Sequence, residues 1–238
     1  MLAHGGSPIT TAILTQAISA FPSTELIHLY GTTETSPLAT SLRNEEKLAD
    51  TGLWYSCGQS LPGVDIRVIG DNGEELVDSE VGQIAIAGAN VMKGYWNKPR
   101  ETQAVLANGW YLTGDLGYCA DKYYYIVDRA KDMIISGGFN IFPSEVEQVI
   151  WTHPSVQDCA VIGTPDDKWG EAVTAVVELK SGKMINESQI IDICKQELGS
   201  VKAPKAVHFW DELPRSAVGK VRKKDIRDYF WEGFDRRI

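Results

Sequence analysis

The sequence has few residues that bind metals or form covalent cross-links. Its 238 residues include four cysteines and four histidines, all far apart along the chain, and no C-x-x-C pair. Scattered thiols disfavour a disulfide framework or a zinc site and favour a reducing cytoplasm. Each histidine is expected to be a surface or packing residue. Any metal would therefore be held by carboxylates.

Long apolar runs and a broad basic surface are also missing. No window approaches the roughly 20 apolar residues of a membrane span, and the N-terminus lacks the pattern of a secretory signal. The formal net charge of −9 argues against nucleic acid as the main partner, because duplex binding needs a broad basic face. With 43% hydrophobic and 23% charged residues, the composition is that of a soluble globular protein.

The pattern of apolar residues divides the chain into parts. Helical spacing predicts a helix over residues 8–20, followed by a buried strand and a turn rich in Gly, Thr and Ser. Short strands with turn residues between them predict a small antiparallel barrel or sandwich over residues 60–128. One of these strands is expected within the stretch DNGEEL, 71–76, whose DNG is a hairpin signal.

From about residue 131 strands alternate with helices and predict a compact α+β domain. Ser144 with Glu147, and Asn186 with Gln189, predict capping boxes that open two helices, the second ending at Gly199. A final strand is predicted over residues 205–213. The boundary between the two parts is expected to be a short charged hinge near residue 130.

Two stretches before residue 130 carry candidate nucleotide contacts. In YGTTE, 30–34, the turn can cradle an anion and Glu34 can bring a Mg²⁺, although a Thr-rich turn is often only a turn. In YLTGD, 111–115, Asp115 is expected to be an exposed carboxylate at a strand end, suited to paired ribose hydroxyls. The alternative is that Asp115 caps its own turn.

Two further stretches carry positive charge. DRAKD, 128–132, is either a solvated linker or a hinge that brings an arginine to a nucleotide. In PRSAVGK, 214–220, Pro214 and Gly219 disfavour a helix, so Lys220 is expected on a mobile arm. A lysine suits phosphate and carboxylate oxygens because it is a compact point charge. The alternative is a basic tail that serves solubility.

In this order the stretches resemble the motifs of the AMP-forming adenylate enzymes, which include acyl-CoA synthetases, firefly luciferase and the adenylation domains of peptide synthetases. The resemblance covers essentially the whole chain, and its motifs are GGSPI (5–9), YGTTE (30–34), YLTGD (111–115), IVDRAKDMIISGGFNIFPSEVE (126–147) and PRSAVGKVRKKDIR (214–227). The form of the fourth motif favours ligation to CoA over peptide-synthetase loading.

The resemblance implies ligand-binding roles for particular residues. ATP or AMP would contact Gly5, Gly6, Ser7, Tyr30, Gly31, Thr32, Thr33, Asp115 and Arg129. Thr33, Glu34 and Lys220 would be catalytic: Thr33 at the α-phosphate, Glu34 holding Mg²⁺, and Lys220 at the carboxylate and α-phosphate oxygens. Lys131 would be the hinge, and Gly137, Gly138 and Phe139 would line the CoA tunnel.

The resemblance also implies that this chain is the C-terminal half of a longer enzyme. Residues 1–130 would be the last part of the AMP-binding domain, with a truncated α/β remnant at 1–59 and an antiparallel β-barrel at 60–130. Residues 131–238 would be the mobile α+β C-terminal domain. The family's Ser/Thr/Gly-rich phosphate loop is not found in the sequence, and the first helix and strand would lack their sheet partners. The chain alone is thus expected to be weakly active or inactive, and prone to self-associate or to pair with an N-terminal half.

The full enzyme would join a carboxylic acid to CoA in the cytoplasm, using ATP and releasing AMP and pyrophosphate. The alternative is a non-catalytic module that binds AMP or an acyl-adenylate, or a half-enzyme that needs an upstream partner. The acyl substrate is left open between fatty and aromatic acids.

Overall fold

The computed structural model describes residues 1–6, 9, 11–48, 51–217 and 219–234, and its mixed α/β architecture confirms the predicted fold class. The chain divides into two compact units, Met1–Ala130 and Lys131–Ile238. No helix in the described ranges has both the length and the apolar character that a membrane crossing requires.

The first unit opens with a four-stranded sheet. Its elements are β1 (Leu2–Gly5), α1 (Thr11–Ala20), β2 (Leu26–Tyr30), β3 (Thr40–Arg43) and β4 (Gln59–Ser60), and the strand order is β1-β2-β3-β4. β1 and β2 run parallel, whereas β3 is antiparallel to β2. The expectation that the first strands lack sheet partners was therefore wrong for β2, which is paired on both sides. The predicted helix is present from Thr11 onward, and residues 8 and 10 lie outside the described ranges.

A five-stranded antiparallel sheet follows, where the sequence predicted a barrel. It contains β5 (Val64–Ile69), β6 (Gly82–Gly88), β7 (Leu106–Ala107), β8 (Trp110–Ala120) and β9 (Tyr123–Arg129), with α2 (Pro99–Val105) before β7. Alternate side chains of β5 and β6 form its core, because successive residues of a strand point to opposite faces. The stretch DNGEEL is not a strand. Its DNG makes the predicted turn, after which Glu75 forms a single bridge with Ile69, flanked by bonds from the Gly70 N–H to the Glu74 carbonyl and from the Leu76 N–H to the Val68 carbonyl.

The second unit is an α+β sandwich built on another five-stranded sheet. Its elements are β10 (Ile134–Ser136), β11 (Phe139–Ile141), α3 (Pro143–Trp151), β12 (Val156–Asp166), β13 (Gly170–Leu179), α4 (Glu187–Lys202), β14 (Ala206–Phe209) and α5 (Lys223–Phe230). The order is β11-β10-β13-β12, and β14 pairs parallel with β13. Buried residues of α3 and α4 pack on one face of β12 and β13, and Ile226 of α5 packs on the other. The final strand ends at Phe209, four residues earlier than predicted.

One predicted capping box is confirmed and the other was wrong. Asn186 accepts the N–H of Gln189 at 2.9 Å, and the Gln189 side chain accepts the N–H of Asn186 at 3.1 Å. The predicted end at Gly199 is a kink (φ 78°), beyond which a last turn reaches Lys202. α3 instead begins with a proline at its first position and has no side-chain cap. Ser144 is thus not the N-cap residue, and Glu147 is a buried carboxylate.

Candidate active site

The GGSPI motif (5–9) begins at the end of β1, at the same edge of the first sheet as the turn in YGTTE (30–34), which we call the Thr/Glu turn. β1 and β2 are parallel with Gly5 opposite Leu29, so their carboxyl ends meet at one edge of the sheet. A Cβ atom at Gly5 would lie 2.1 Å from the Leu29 carbonyl oxygen, so only glycine permits this approach. Gly6 and Tyr30 thus come together at the edge where ligands bind in open α/β sheets. Ser7 lies outside the described residues.

The Thr/Glu turn is closed by its own hydrogen bonds. The Thr32 N–H donates to Thr35 Oγ1 at 3.0 Å, and Thr35 Oγ1 donates back to the Thr32 carbonyl at 3.1 Å. Gly31 passes so close to Pro37 that a Cβ atom would lie 2.0 Å from the Pro37 carbonyl oxygen. Thr33 is exposed at the first position of a short 3₁₀ turn. Thr32, in an extended conformation (φ −124°), is the residue that precedes this 3₁₀ turn.

Glu34 is held in its charged form. Its Oε1 accepts the Tyr95 hydroxyl at 2.8 Å. Burial pushes the pKa of Glu34 up, but the hydrogen bond from Tyr95 and other hydrogen bonds outweigh this effect, and the net pKa is lowered. The same hydrogen bond raises the pKa of Tyr95 to about 12. Glu34 is therefore an ionised carboxylate at neutral pH.

Glu34 can supply only part of the coordination of a Mg²⁺ ion. Among the described residues no group of three or more His, Cys, Asp or Glu side chains is arranged to hold a metal. Mg²⁺ commonly binds one or two carboxylates and takes its other ligands from water and substrate phosphates. The charged carboxylate of Glu34, in the turn that is predicted to bind an anion, is consistent with that mode.

Asp115 is not the exposed residue at a strand end that the sequence suggested. It is 5% exposed and lies within β8, which continues to Ala120. The pairing of β8 with β6 shifts register across residues 113–115, where Gly114 has a φ of 74°. The bulge is stabilised by Thr113 Oγ1, which accepts the Asp115 N–H at 3.0 Å. Such bulges redirect side chains, and this one accompanies the inward position of Asp115.

Three of the predicted nucleotide contacts form one cluster around Asp115. Its Oδ2 accepts the Tyr30 hydroxyl at 2.8 Å, and its Oδ1 lies 3.1 Å from Arg129 Nε on the neighbouring strand. Burial raises the pKa of Asp115, and the bonds from Tyr30 and Arg129 offset this only in part. Burial and the charge of Asp115 also raise the pKa of Tyr30. The side chain of Arg129 remains 55% exposed, which leaves it accessible to a ligand.

The sequence reading missed a segment that supports the Thr/Glu turn. No motif of the sequence analysis includes residues 90–95. The Met92 N–H donates to the Glu34 carbonyl at 2.8 Å, and Asn90 Nδ2 donates to the carbonyls of Thr35 at 3.2 Å and Leu38 at 2.7 Å. Together with Tyr95, these bonds fix the turn from outside. No spacing pattern indicates such pairing, because the two segments are more than fifty residues apart.

Two histidines that looked unrelated also come together in the first unit. His4 and His28 are opposite each other on β1 and β2, and their rings stack with centroids 4.9 Å apart. His4 Nε2 lies 2.5 Å from Oε2 of the fully buried Glu45. Burial and the neighbouring His4 lower the pKa of His28. His4 and His28 lie one and two residues before the ends of their strands, which are at Gly5 and Tyr30.

In the second unit, the predicted tunnel residues form a tight hairpin turn. Gly137 and Gly138, with φ of 58° and 84°, connect β10 to β11. The Gly137 N–H donates to the Trp169 carbonyl at 2.8 Å, and a Cβ atom at Gly137 would lie 2.6 Å from the Trp169 ring. Phe139 is 58% exposed. Lys131 is exposed and is the first residue of the second unit.

Lys220 lies on a hairpin and not on an open arm. Within this hairpin, residues 214–222, Arg215 pairs with Val221 as an antiparallel bridge. The Ser216 N–H donates to the Lys220 carbonyl at 2.8 Å, and the Arg222 N–H donates to the Pro214 carbonyl at 2.8 Å. The side chain of Lys220 is exposed near the end of this hairpin, and Val218 lies outside the described residues. The sequence analysis did not foresee this pairing, and the mobility of the segment stays a prediction.

A cluster of the predicted nucleotide contacts in one unit and an exposed lysine in another are the features that the sequence motifs led us to expect of an adenylate-forming enzyme. Comparison with known proteins agrees. Residues 1–96 match the family described as AMP-binding enzyme, and residues 145–220 match the AMP-binding enzyme C-terminal domain. The chain therefore belongs to the AMP-forming family of adenylate enzymes.

Particular relatives show how much of such an enzyme is present. The chain is 41% identical to the medium/long-chain-fatty-acid–CoA ligase FadD8 of Mycobacterium tuberculosis, with 99% of this chain and 42% of the relative covered. It is 40% identical to the indoleacetate–CoA ligase of Aromatoleum aromaticum, with coverage of 85% and 39%. The crystal structure of ATP-bound MatB from Rhodopseudomonas palustris superposes with a TM-score of 0.86 at 35% identity, covering 98% of this chain and 46% of MatB. The chain thus spans less than half the length of these relatives and corresponds to a C-terminal half.

Proposed function

We propose that this chain is the C-terminal part of a carboxylate–CoA ligase that consumes ATP and releases AMP and pyrophosphate. The observation that carries the proposal is the Asp115 cluster, because a buried carboxylate held by Tyr30 and Arg129 lies in the same unit as the charged Glu34 and its Thr-rich turn. This arrangement supports binding of a ribose and an α-phosphate by one set of side chains.

In this proposal the ribose binds at Asp115. A carboxylate oxygen can accept more than one hydrogen bond, so both ribose hydroxyls can donate to it while Tyr30 continues to do so. The exposed part of Arg129 offers further N–H groups to the nucleotide. Gly5, Gly6 and Gly31 provide backbone close to the base. At Gly5 and Gly31 a Cβ atom would clash with the carbonyl oxygens of Leu29 and Pro37, so the chain requires glycine at both positions.

In the first half-reaction a negatively charged carboxylate must approach the negatively charged α-phosphate of ATP. A carboxylate oxygen of the acid attacks the α-phosphorus, and the bond between that phosphorus and the pyrophosphate oxygen breaks. Positioned positive charge and hydrogen-bond donors must offset the developing charge. Thr33 donates to the α-phosphate, and Lys220 stabilises the oxygens of the carboxylate and the phosphate. Glu34 would help to hold a Mg²⁺ ion, which would supply further charge neutralisation.

The second half-reaction transfers the acyl group. The thiol sulfur of CoA attacks the carbonyl carbon of the acyl-adenylate, the bond to the phosphate oxygen breaks, AMP leaves with the electron pair, and the thiol proton is lost to solvent. Gly137, Gly138 and Phe139 line the thiol's approach. Lys131, at the unit boundary, is the hinge that lets Lys220 withdraw between the two steps.

The acid is a fatty or an aromatic carboxylic acid. The relatives named above are described as acting on medium- or long-chain fatty acids and on indoleacetate, so both classes remain in the proposal. We place the enzyme in the cytoplasm, which agrees with four free cysteine thiols. The exposed Ile13 of α1, together with Met1 and Leu2, makes self-association or pairing with an N-terminal half part of the same proposal.

The test separates binding from turnover. AMP is titrated calorimetrically into the purified chain, and acyl-CoA formation is assayed with ATP, Mg²⁺, CoA and a panel of fatty and aromatic acids, beside Lys220→Ala. Turnover that this substitution lowers by about 100-fold supports the ligase and shows that the half suffices. AMP binding without turnover supports a half-enzyme or binding module. Absence of both contradicts the proposal for this chain.

A further inference from the structure

The hairpin that carries Lys220 is anchored to the sheet of its own unit by Arg215. Arg215 Nη1 donates to Asp158 Oδ2 at 2.7 Å, and Nη2 donates to Glu178 Oε2 at 3.0 Å. Because the guanidinium is planar and rigid, two bonds to two different strands fix its orientation as well as its position. Its side chain is only 29% exposed, so solvent screens these pairs less than it would at an open surface.

The two carboxylates form a site that favours a cation. Asp158 and Glu178 lie directly opposite each other on β12 and β13. Like charges at such a cross-strand pair repel, so a bridging cation stabilises both. The carboxylates are themselves held in place: Asp158 Oδ1 accepts Trp151 Nε1 at 3.1 Å, and Glu178 Oε2 also accepts the Leu213 N–H at 3.0 Å.

The same guanidinium reaches the residue next to Lys220. Arg215 Nη1 lies 3.4 Å from the carbonyl oxygen of Gly219, whose peptide bond leads directly into Lys220. The backbone of Arg215 is also one side of the bridge to Val221. Arg215 thus connects the sheet, the base of the hairpin and the peptide group before Lys220.

We propose that Arg215 is a positioning residue that fixes the Lys220 hairpin on the Asp158–Glu178 pair. Its importance for catalysis rests on the proposed function of Lys220, whereas its effect on the hairpin does not. A lysine at 215 has one compact ammonium group and reaches one carboxylate well, but it cannot present a fixed plane to both strands and to Gly219. Arginine is therefore the residue that this position requires.

Hydrogen exchange on the ligand-free chain tests the ordering directly. The readouts are the N–H groups of Ser216 and Gly219, which bond to the Lys220 and Ser216 carbonyls at 2.8 and 2.9 Å. In Arg215→Gln both should exchange about tenfold faster or more, with Arg215→Lys between that variant and the unmodified chain. The matched control is Arg222→Gln, because Arg222 belongs to the same hairpin and its guanidinium pairs with Asp225, three residues away in sequence.

Two exchange results would overturn the proposal. One is an unchanged rate at Ser216 and Gly219 in Arg215→Gln. The other is an equal loss of protection along β13, at residues 173–177, which would mean that Arg215 supports the whole unit and not the hairpin in particular. Unchanged protection of β13 with faster exchange in the hairpin supports the proposal.

The catalytic consequence is measured on the two half-reactions separately. Arg215→Gln should slow acyl-adenylate formation about tenfold, because Lys220 acts there, and leave thioester formation from added acyl-adenylate and CoA nearly unchanged. Arg215→Lys should restore part of the first rate. Equal loss in both half-reactions would overturn the positioning role. If the unmodified chain forms no acyl-adenylate and binds no AMP, the proposed function fails, while the exchange experiment still decides whether Arg215 orders the hairpin.

Discussion

Asp115 of the first unit and Glu147 of the second are both buried carboxylates, at 5% exposure each, but their surroundings differ. Glu147 Oε1 accepts the Val161 N–H at 2.7 Å and pairs at 2.7 Å with Lys223, whose side chain is 20% exposed. Asp115 has a phenol and a half-exposed arginine as partners, and its pKa stays raised. The charge of Glu147 is thus compensated from inside the unit. That of Asp115 is compensated only in part, as suits a carboxylate that binds a ligand.

The largest expected effect is on stability, at Glu147. Glu147→Ala removes the acceptor of the Val161 N–H and the carboxylate partner of Lys223, so we expect a loss of about 3 kcal/mol in the free energy of unfolding of the second unit. Denaturant titration measures it. Glu147→Gln keeps an acceptor for Val161 and should lose less. A change below about 1 kcal/mol for Glu147→Ala would remove the contrast with Asp115.

At Asp115 the expected effect is on binding. Asp115→Asn should weaken AMP binding at least about tenfold, because a charge-assisted acceptor is lost. It should change the free energy of unfolding by no more than about 1 kcal/mol, because the amide oxygen still accepts the Tyr30 hydroxyl. Calorimetric titration and denaturant unfolding of the same protein give both values.

The sign of the pH effect at Asp115 follows from its raised pKa. The folded state holds the proton more tightly than the unfolded state, so the contribution of Asp115 to stability is full below the ordinary value of 3.8 and is lost as pH rises through the folded pKa. At neutral pH the ionised side chain therefore costs stability, and Asp115→Asn should not be strongly destabilising there. A large loss of stability at pH 7 would show that Asp115 is a structural residue like Glu147.

A smaller effect is expected on acidification of the first unit. The pKa of His28 is lowered below its ordinary value of 6.5 by burial and by His4, so the unfolded state takes up its proton first. The contribution of His28 is full above pH 6.5 and is lost as pH falls from there through the lowered pKa. The denaturation midpoint of the first unit should drop between pH 7 and pH 5. His28→Asn should reduce that drop, whereas the control His208→Asn, at an exposed position of the second unit, should not.

A feature of this fold was predictable from the sequence where residues close together in the chain determine it. The Asn186–Gln189 cap, the DNG turn and the alternating strand β5 depend on residues within a few positions of one another. Ser144 and Glu147 have the same spacing, but α3 begins one residue before Ser144, at Pro143, and the buried Glu147 accepts the Val161 N–H and pairs with Lys223. Tertiary contacts thus overrode a local preference.

The candidate site was predictable as a set of motifs but not as an arrangement. The motifs alone indicate Asp115, Glu34 and Lys220 as candidate functional residues. The burial of Asp115, the Tyr95 bond to Glu34 and the Arg215 anchor all join segments far apart in the chain. Such pairings depend on strand register and bulges, which residue spacing does not determine.

The smallest expected effect is a change in the stability of the first unit that leaves AMP binding unchanged. β8 and β9, which hold Asp115 and Arg129 opposite each other, are joined by Asp121 and Lys122, with φ of 51° and 68°. A lysine in this left-handed region is strained, and hairpin turns of this type favour glycine at the second position. Lys122→Gly should therefore raise the free energy of unfolding by about 0.5 kcal/mol, and AMP affinity should not change. The control Lys180→Gly, on a surface lysine of the second unit, should leave the first unit unaffected. If Lys122→Gly instead altered AMP affinity, the Asp115 cluster would depend on the flexibility of its hairpin, and binding and stability in this unit would be coupled.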